Sequence, residues 1–319
     1  MSRVGAFVGV LMAFLGLASC TLDATPPMER SSQSFSFTYA TSPFADYLFY
    51  LLYHSTGSFP QLRSSVPLDG IAPFSDGIAP FSADSFLPQD AIISHVTTYS
   101  QLYKLAESHD NPEALKALLK RGEPSYPAFL AFWRTHIGLE EDQVIAAWQR
   151  QESDWPPVAH LEELERLKFP FSSIQVDVLA LDPQGSSTQG PPTIFTTTQV
   201  PSLAWAVGHE GSHMMLEVNG ANWTSRPGAK EAIQLIRAQG GSEYDVEVAL
   251  CLPMQAKLSY AAGRTEADYR SSYAVSGNSP RKILLLTLER DWPHYLSDRK
   301  SNIADFLIRE TIATFGTNP

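Results

Sequence analysis

The residues best placed to do chemistry lie in one short run, His209-Glu210-Gly211-Ser212-His213. On a helix, two histidines four positions apart stand one turn apart on nearly the same face, so both imidazoles can reach one point. Neutral imidazole is a preferred zinc donor, and a catalytic zinc keeps one of its four positions for water or substrate. In this spacing the glutamate that follows the first histidine faces that water rather than the metal, which makes Glu210 the expected general base. In a shuffled chain of this composition the pattern is expected on the order of a hundredth of a time. The flanking Pro201 to Glu217 is apolar around the histidines, with Pro201 near the start and Asn219-Gly220 as a stop, so one helix is predicted to carry the motif.

A third protein ligand has to come from elsewhere. An extension with glycine at 216 and histidine at 219 is excluded, because the chain has Leu216 and Asn219. Glu217 lies about 12 Å along the helix axis from His209, too far for one tetrahedral ion to hold both, and is read as supporting or solvated. The stretch 240–251 offers three acids after a double glycine, with Ser242 as N-cap: Glu243, Asp245 and Glu247. Glu243 and Asp245 fall in the first turn, where the exposed N–H groups already favour acids. Glu247 sits among Val246, Val248, Ala249 and Leu250, where a carboxylate needs a partner, so it is the preferred ligand and Glu243 the alternative.

His209, Glu210, His213 and a later helical glutamate resemble the gluzincin branch of the zincin metallopeptidases, over roughly residues 172–262. The resemblance implies zinc on His209, His213 and Glu247, Glu210 as base, and a peptide or protein substrate. It implies an α+β fold, a zincin-like catalytic core with a predominantly helical N-terminal subdomain. It also implies an edge strand that borders the cleft and can pair with an extended substrate. In that branch an aspartate four residues after the ligand glutamate commonly orients the first histidine; here that position is Cys251. A tyrosine or histidine donor for the oxyanion would be Tyr295 or His294, although a packed aromatic corner is the preferred reading of both.

The elements that must position these groups divide the chain. Residues 1–19, with Arg3 ahead of an apolar run and Leu17-Ala18-Ser19-Cys20 at its end, read as a lipoprotein signal peptide, with Cys20 the lipidated N-terminus. Two acyl chains would anchor the protein to a membrane without spanning it. By resemblance to lipoprotein sorting, Thr21 fits the periplasmic face of an outer membrane. Residues 20–34 read as a tether. A mainly helical subdomain is expected over 35–170, with a strand at 35–39 and a helix at 43–54. Further helices are expected from Pro88 through Tyr103, then over 112–122, 125–136, 140–151 and 157–168. Tyr126, Phe129, Phe132 and Trp133 read as core, and His95, His109, His136 and His160 show no paired ligand spacing.

Within 35–170, Asp69 to Ser75 recurs unchanged as Asp76 to Ser82, a duplication inside a tolerant loop (69–82) rather than a repeat fold. The catalytic region is expected over 171–319. It would hold strands at 174–181 and 192–198 around a loop at 182–187, helices at 229–238 and 243–263, and two more at 281–289 and 298–314 separated by a break at Asp291 to Tyr295.

Composition narrows the partners. With 44% hydrophobic residues in 319 the chain is globular, and its net charge of −11 with no basic run excludes a nucleic-acid footprint. Only Cys20 and Cys251 are present, so lipidation of Cys20 leaves no intramolecular disulfide, and Cys251 is expected to be a small buried residue. A reading from a different class is a metal-holding or partner-binding lipoprotein of the same fold without turnover.

Overall fold

The computed structural model describes residues 35–53, 59–68, 95–107, 112–181, 186–189, 192–218, 222–263 and 279–316. The signal peptide with Cys20, the tether, His54, His109, the duplicated loop and Asn219-Gly220 lie outside the described residues. Residues 35–319 form one compact unit. Among the described residues no helix is long and apolar enough to cross a membrane.

The architecture is mixed α and β. Among the described residues four strands, β1 (Ser36–Ala40), β2 (Ser173–Val178), β3 (Ser186–Gln189) and β4 (Pro192–Thr196), form one sheet in the order β1-β2-β4-β3. β1 and β4 flank β2 in parallel, with Tyr39 opposite Val176 and Val176 opposite Ile194. β3 runs antiparallel at the edge, with Ser187 opposite Ile194. Ser186 and Ser187, expected in a loop, therefore pair as strand. A short hairpin back from β4 gives their backbone groups partners that local sequence does not announce.

The β1–β2 crossover carries the first helices: α1 (Pro43–Tyr53), α2 (Leu62–Ser65), α3 (Tyr99–Ala106), α4 (Pro112–Gly122), α5 (Tyr126–Thr135), α6 (Ile137–Asp154) and α7 (Pro157–Glu165). α3 begins at Tyr99, the described residues 95–98 ahead of it are not helical, and the start expected at Pro88 lies outside the described residues. Thr98 accepts from the Gln101 backbone while the Gln101 side chain accepts from Thr98 N, and this capping box sets the start. Phe129 and Phe132 are buried with Tyr47 and Tyr50 of α1, as a core reading of that stripe requires.

A buried acid pair ties this half to the sheet. Asp46 accepts from Trp133 Nε1 (2.8 Å) and Leu181 N (3.0 Å), and Glu141 accepts from Ala180 N (2.9 Å). Burial raises the pKa of both carboxyls, and the nearby Asp46 raises that of Glu141 further.

Past the sheet lies a three-part helix: α8 (Leu203–Ala206), a π-helical turn (Val207–Gly211) and α9 (Ser212–Glu217). α10 (Ala229–Ala238), α11 (Glu243–Ala261), α12 (Pro280–Ser297) and α13 (Ile303–Phe315) follow among the described residues. The break expected at Asp291 to Tyr295 is absent. α12 runs through Pro293 because Trp292 and Tyr295 are buried against Phe306 and hold that turn in place. Tertiary packing here outweighs the backbone hydrogen bond that proline cannot make. The end of α12 is closed by Arg166, which has left-handed backbone (φ 55°) and donates to the carbonyls of Tyr295, Leu296, Asp298 and Ser301. The main core joins β2 and β4 to the three-part helix, α11, α12 and α13.

Candidate metal centre

The motif sits where the three-part helix crosses α11. Ser202 caps its start by accepting from Trp205 N (3.1 Å). The middle is π-helical rather than α-helical, a wider turn that recurs at functional sites. The crossing is close because residue 208 is glycine. A Cβ there would lie 2.7 Å from Gln255 Cα and 3.0 Å from Met254 O, both backbone atoms unable to move aside. α11 is launched in register by a second capping box, in which Ser242 Oγ accepts from Asp245 N and Asp245 accepts from Ser242 N.

This crossing brings His213 and Glu247 together. His213 Nδ1 lies 3.6 Å from Glu247 Oε2 and 3.6 Å from Glu217 Oε1. One donor atom from each of His213, Glu217 and Glu247 falls within 4.8 Å of the others, in a largely buried group able to hold a metal ion. Glu217, read from the sequence as supporting or solvated, is half-buried and stands within this trio. Its distance from His209 does not matter to a group centred on His213 and Glu247.

His209 stands beside the trio. Its ring centroid is 5.3 Å from that of His213, and its Nδ1 donates to Gln255 Oε1 at 2.8 Å. Burial lowers its pKa despite the nearby Glu210, which favours the neutral imidazole a metal ligand must be. For His213, burial works against the charged form, yet the Cys251 sulfur and the Glu217 and Glu247 carboxylates hold its pKa well above the usual range. Glu210 is buried and makes no hydrogen bond or ion pair among the described residues.

Several supporting groups carry no local sequence signal. Trp223 Nε1 donates to Glu247 Oε1 at 2.7 Å, leaving Oε2 turned to His213. Beneath the motif, Ser212 Oγ lies 2.5 Å from Glu165 Oε1 and 2.7 Å from Gly208 O. One hydroxyl proton cannot serve both acceptors. The contacts are satisfied if protonated Glu165 donates to Ser212 and Ser212 donates to Gly208, consistent with burial pushing the Glu165 carboxyl up to about 8. Cys251 is buried and free, and desolvation raises its thiol to about 11, so it is a neutral neighbour of His213 at ordinary pH.

On the solvent side, the half-exposed Tyr244 stacks on His213 with centroids 6.0 Å apart, and Arg281 lies over the outer Tyr244 ring. The remaining candidates fall elsewhere. Glu243 pairs with Arg237 on the surface, and Asp245 with Arg281. Tyr295 is fully buried with its hydroxyl donated to Leu164 O at 2.8 Å, and His294 is exposed. Among the other histidines, His136 stacks on Phe132 and His160 on Trp155.

The donor set fits a divalent cation. Two carboxylates brought to one imidazole in a largely buried place call for positive charge between them, which a bound cation would supply in place of the His213 proton. The Trp223 and Gln255 contacts hold Glu247 and His209 as outer partners hold metal ligands. No protein-family model, curated protein or solved structure matches the chain.

Proposed function

We propose that the protein is a zinc-dependent hydrolase of the peptidase type, with His209, His213 and Glu247 as ligands. The observation that carries the reading is the convergence of His213 and Glu247, 34 positions apart and on different helices, into a donor group that also includes Glu217. Supporting it are the motif spacing, the neutral state favoured for His209, and the antiparallel edge strand β3, which lies against α9. A zincin-like core is the finer form of the mixed α and β architecture that this arrangement suggests.

When bound, the ion would polarise a scissile carbonyl and make a neighbouring water more acidic. Glu210 then takes a proton from the attacking water as its oxygen joins the carbonyl carbon. It returns that proton to the leaving nitrogen as the C–N bond breaks. Tyr244, stacked on His213 at the open side, would border the substrate. Export and anchoring through lipidated Cys20 would place the reaction outside the cytoplasm, at the periplasmic face of an outer membrane.

One observation favours a second reading, a metal-holding lipoprotein without turnover. Glu217 is close enough to His213 and Glu247 to fill a ligand position that catalysis needs open. The deciding experiment measures zinc content of the purified protein and its hydrolysis of a mixed peptide library, for the parent and Glu210→Gln. The hydrolase reading expects stoichiometric zinc in both and hydrolysis only in the parent. Zinc in both without hydrolysis supports the second reading, and no zinc in either rejects both.

A further inference from the structure

We propose that Gln255 is the positioning residue of His209: its side-chain oxygen fixes the imidazole as the Nδ1–H tautomer and so presents Nε2 as the donor. The inference rests on the zinc reading for its consequence, but not for its geometry. An amide oxygen only accepts, so the 2.8 Å contact between Gln255 Oε1 and His209 Nδ1 requires the proton to sit on Nδ1. Neutral imidazole has one N–H and one lone pair, which leaves the lone pair on Nε2.

The contact is built into the fold rather than left to a mobile side chain. Gln255 is 6% exposed, and its backbone is the surface on which Gly208 rests, one residue from His209. Any larger residue at 208 would drive the histidine away from the amide. A ligand histidine whose other nitrogen is held in this way is oriented before any ion arrives.

The acceptor is a neutral amide, not a carboxylate. It orients the ring without adding negative charge behind it, so it raises the basicity of Nε2 less than an acid would. The ion would be held less tightly and keep more of its Lewis acidity. Gln255→Glu is therefore expected to bind zinc more tightly than the parent, and Gln255→Met, close in volume but without the acceptor, to bind it more weakly.

The experiment uses the full-length protein. Long-range nitrogen–proton NMR of the zinc-free form reads the His209 tautomer, and competition with a chelating indicator reads zinc affinity, for the parent, Gln255→Met and Gln255→Glu. Expected are an Nδ1–H tautomer in the parent that is lost in Gln255→Met, a roughly 10–100-fold weaker zinc affinity in that variant, and in Gln255→Glu the parent's tautomer with an affinity above the parent's. An Nε2–H tautomer in the parent, or a tautomer and affinity unchanged in Gln255→Met, overturns the proposal. If Gln255→Met fails to fold, the parent tautomer and the gain in Gln255→Glu decide it. A parent that binds no zinc removes the zinc reading instead, and the tautomer comparison alone then judges Gln255.

Discussion

Trp223 and Glu247 share a 2.7 Å hydrogen bond, the buried indole N–H donating to Oε1 while Oε2 faces His213. One oxygen of the carboxylate is thereby tied down and the other aimed. Trp223→Phe keeps most of the apolar volume and deletes the donor. The loss of a bond to a charged, largely buried acceptor is expected to cost about 1.5–3 kcal/mol of stability. It should also weaken zinc binding roughly tenfold or more. Urea denaturation and zinc titration check the two effects, and a variant matching the parent in both would mean that the indole does not hold the carboxylate.

His213, Glu247 and Glu217 are near one another, but they are not expected to be equal. His213→Asn and Glu247→Gln each remove a donor of the proposed ligand set and should lower zinc affinity more than the roughly 10–100-fold typical of an outer partner. Glu217→Gln should cost less than tenfold, because His209 supplies the third donor. A Glu217→Gln variant as impaired as the other two, beside an unimpaired His209→Asn, would move the ion to the Glu217 side and defeat the ligand assignment.

Gly208 sets the spacing between the motif and α11. Gly208→Ala puts a methyl carbon 2.7 Å from Gln255 Cα, where only backbone could yield. The expected cost is about 1–3 kcal/mol of overpacking, seen as a lower midpoint in thermal or urea unfolding. Unchanged stability would show that the helices separate freely and that the close approach is not required.

Glu165 predicts the pH dependence of stability. Burial raises its folded pKa to about 8 from an ordinary 4.5. The native state therefore binds a proton that the unfolded state releases between those values. Its contribution is fully present below about 4.5 and is lost as pH rises towards 8, a change of a few kcal/mol in order of magnitude. Asp46 and Glu141, with pKa values also raised, tilt stability the same way. Glu165→Gln should flatten part of the slope between urea unfolding at pH 5 and at pH 8. An identical slope in the variant would remove Glu165 from this account.

Sequence alone determined what depends on nearby residues. The Ser242 start of α11 and the whole of α10 follow from capping and periodicity, which act within a few positions. The motif spacing named His209, Glu210 and His213 as a group, and the apolar setting of Glu247 marked it as the acid needing a partner. Tertiary structure decided what depends on distant chain segments meeting. It alone brought Glu217 into the group with His213 and Glu247, put Gln255 behind His209 and Trp223 behind Glu247, and introduced the π-helical turn. It also carried α12 through Pro293, against the local preference of that stretch. A capping box closes its own hydrogen bonds within four residues, whereas the bond between Gln255 and His209 spans 46 positions and exists only because two helices pack at Gly208.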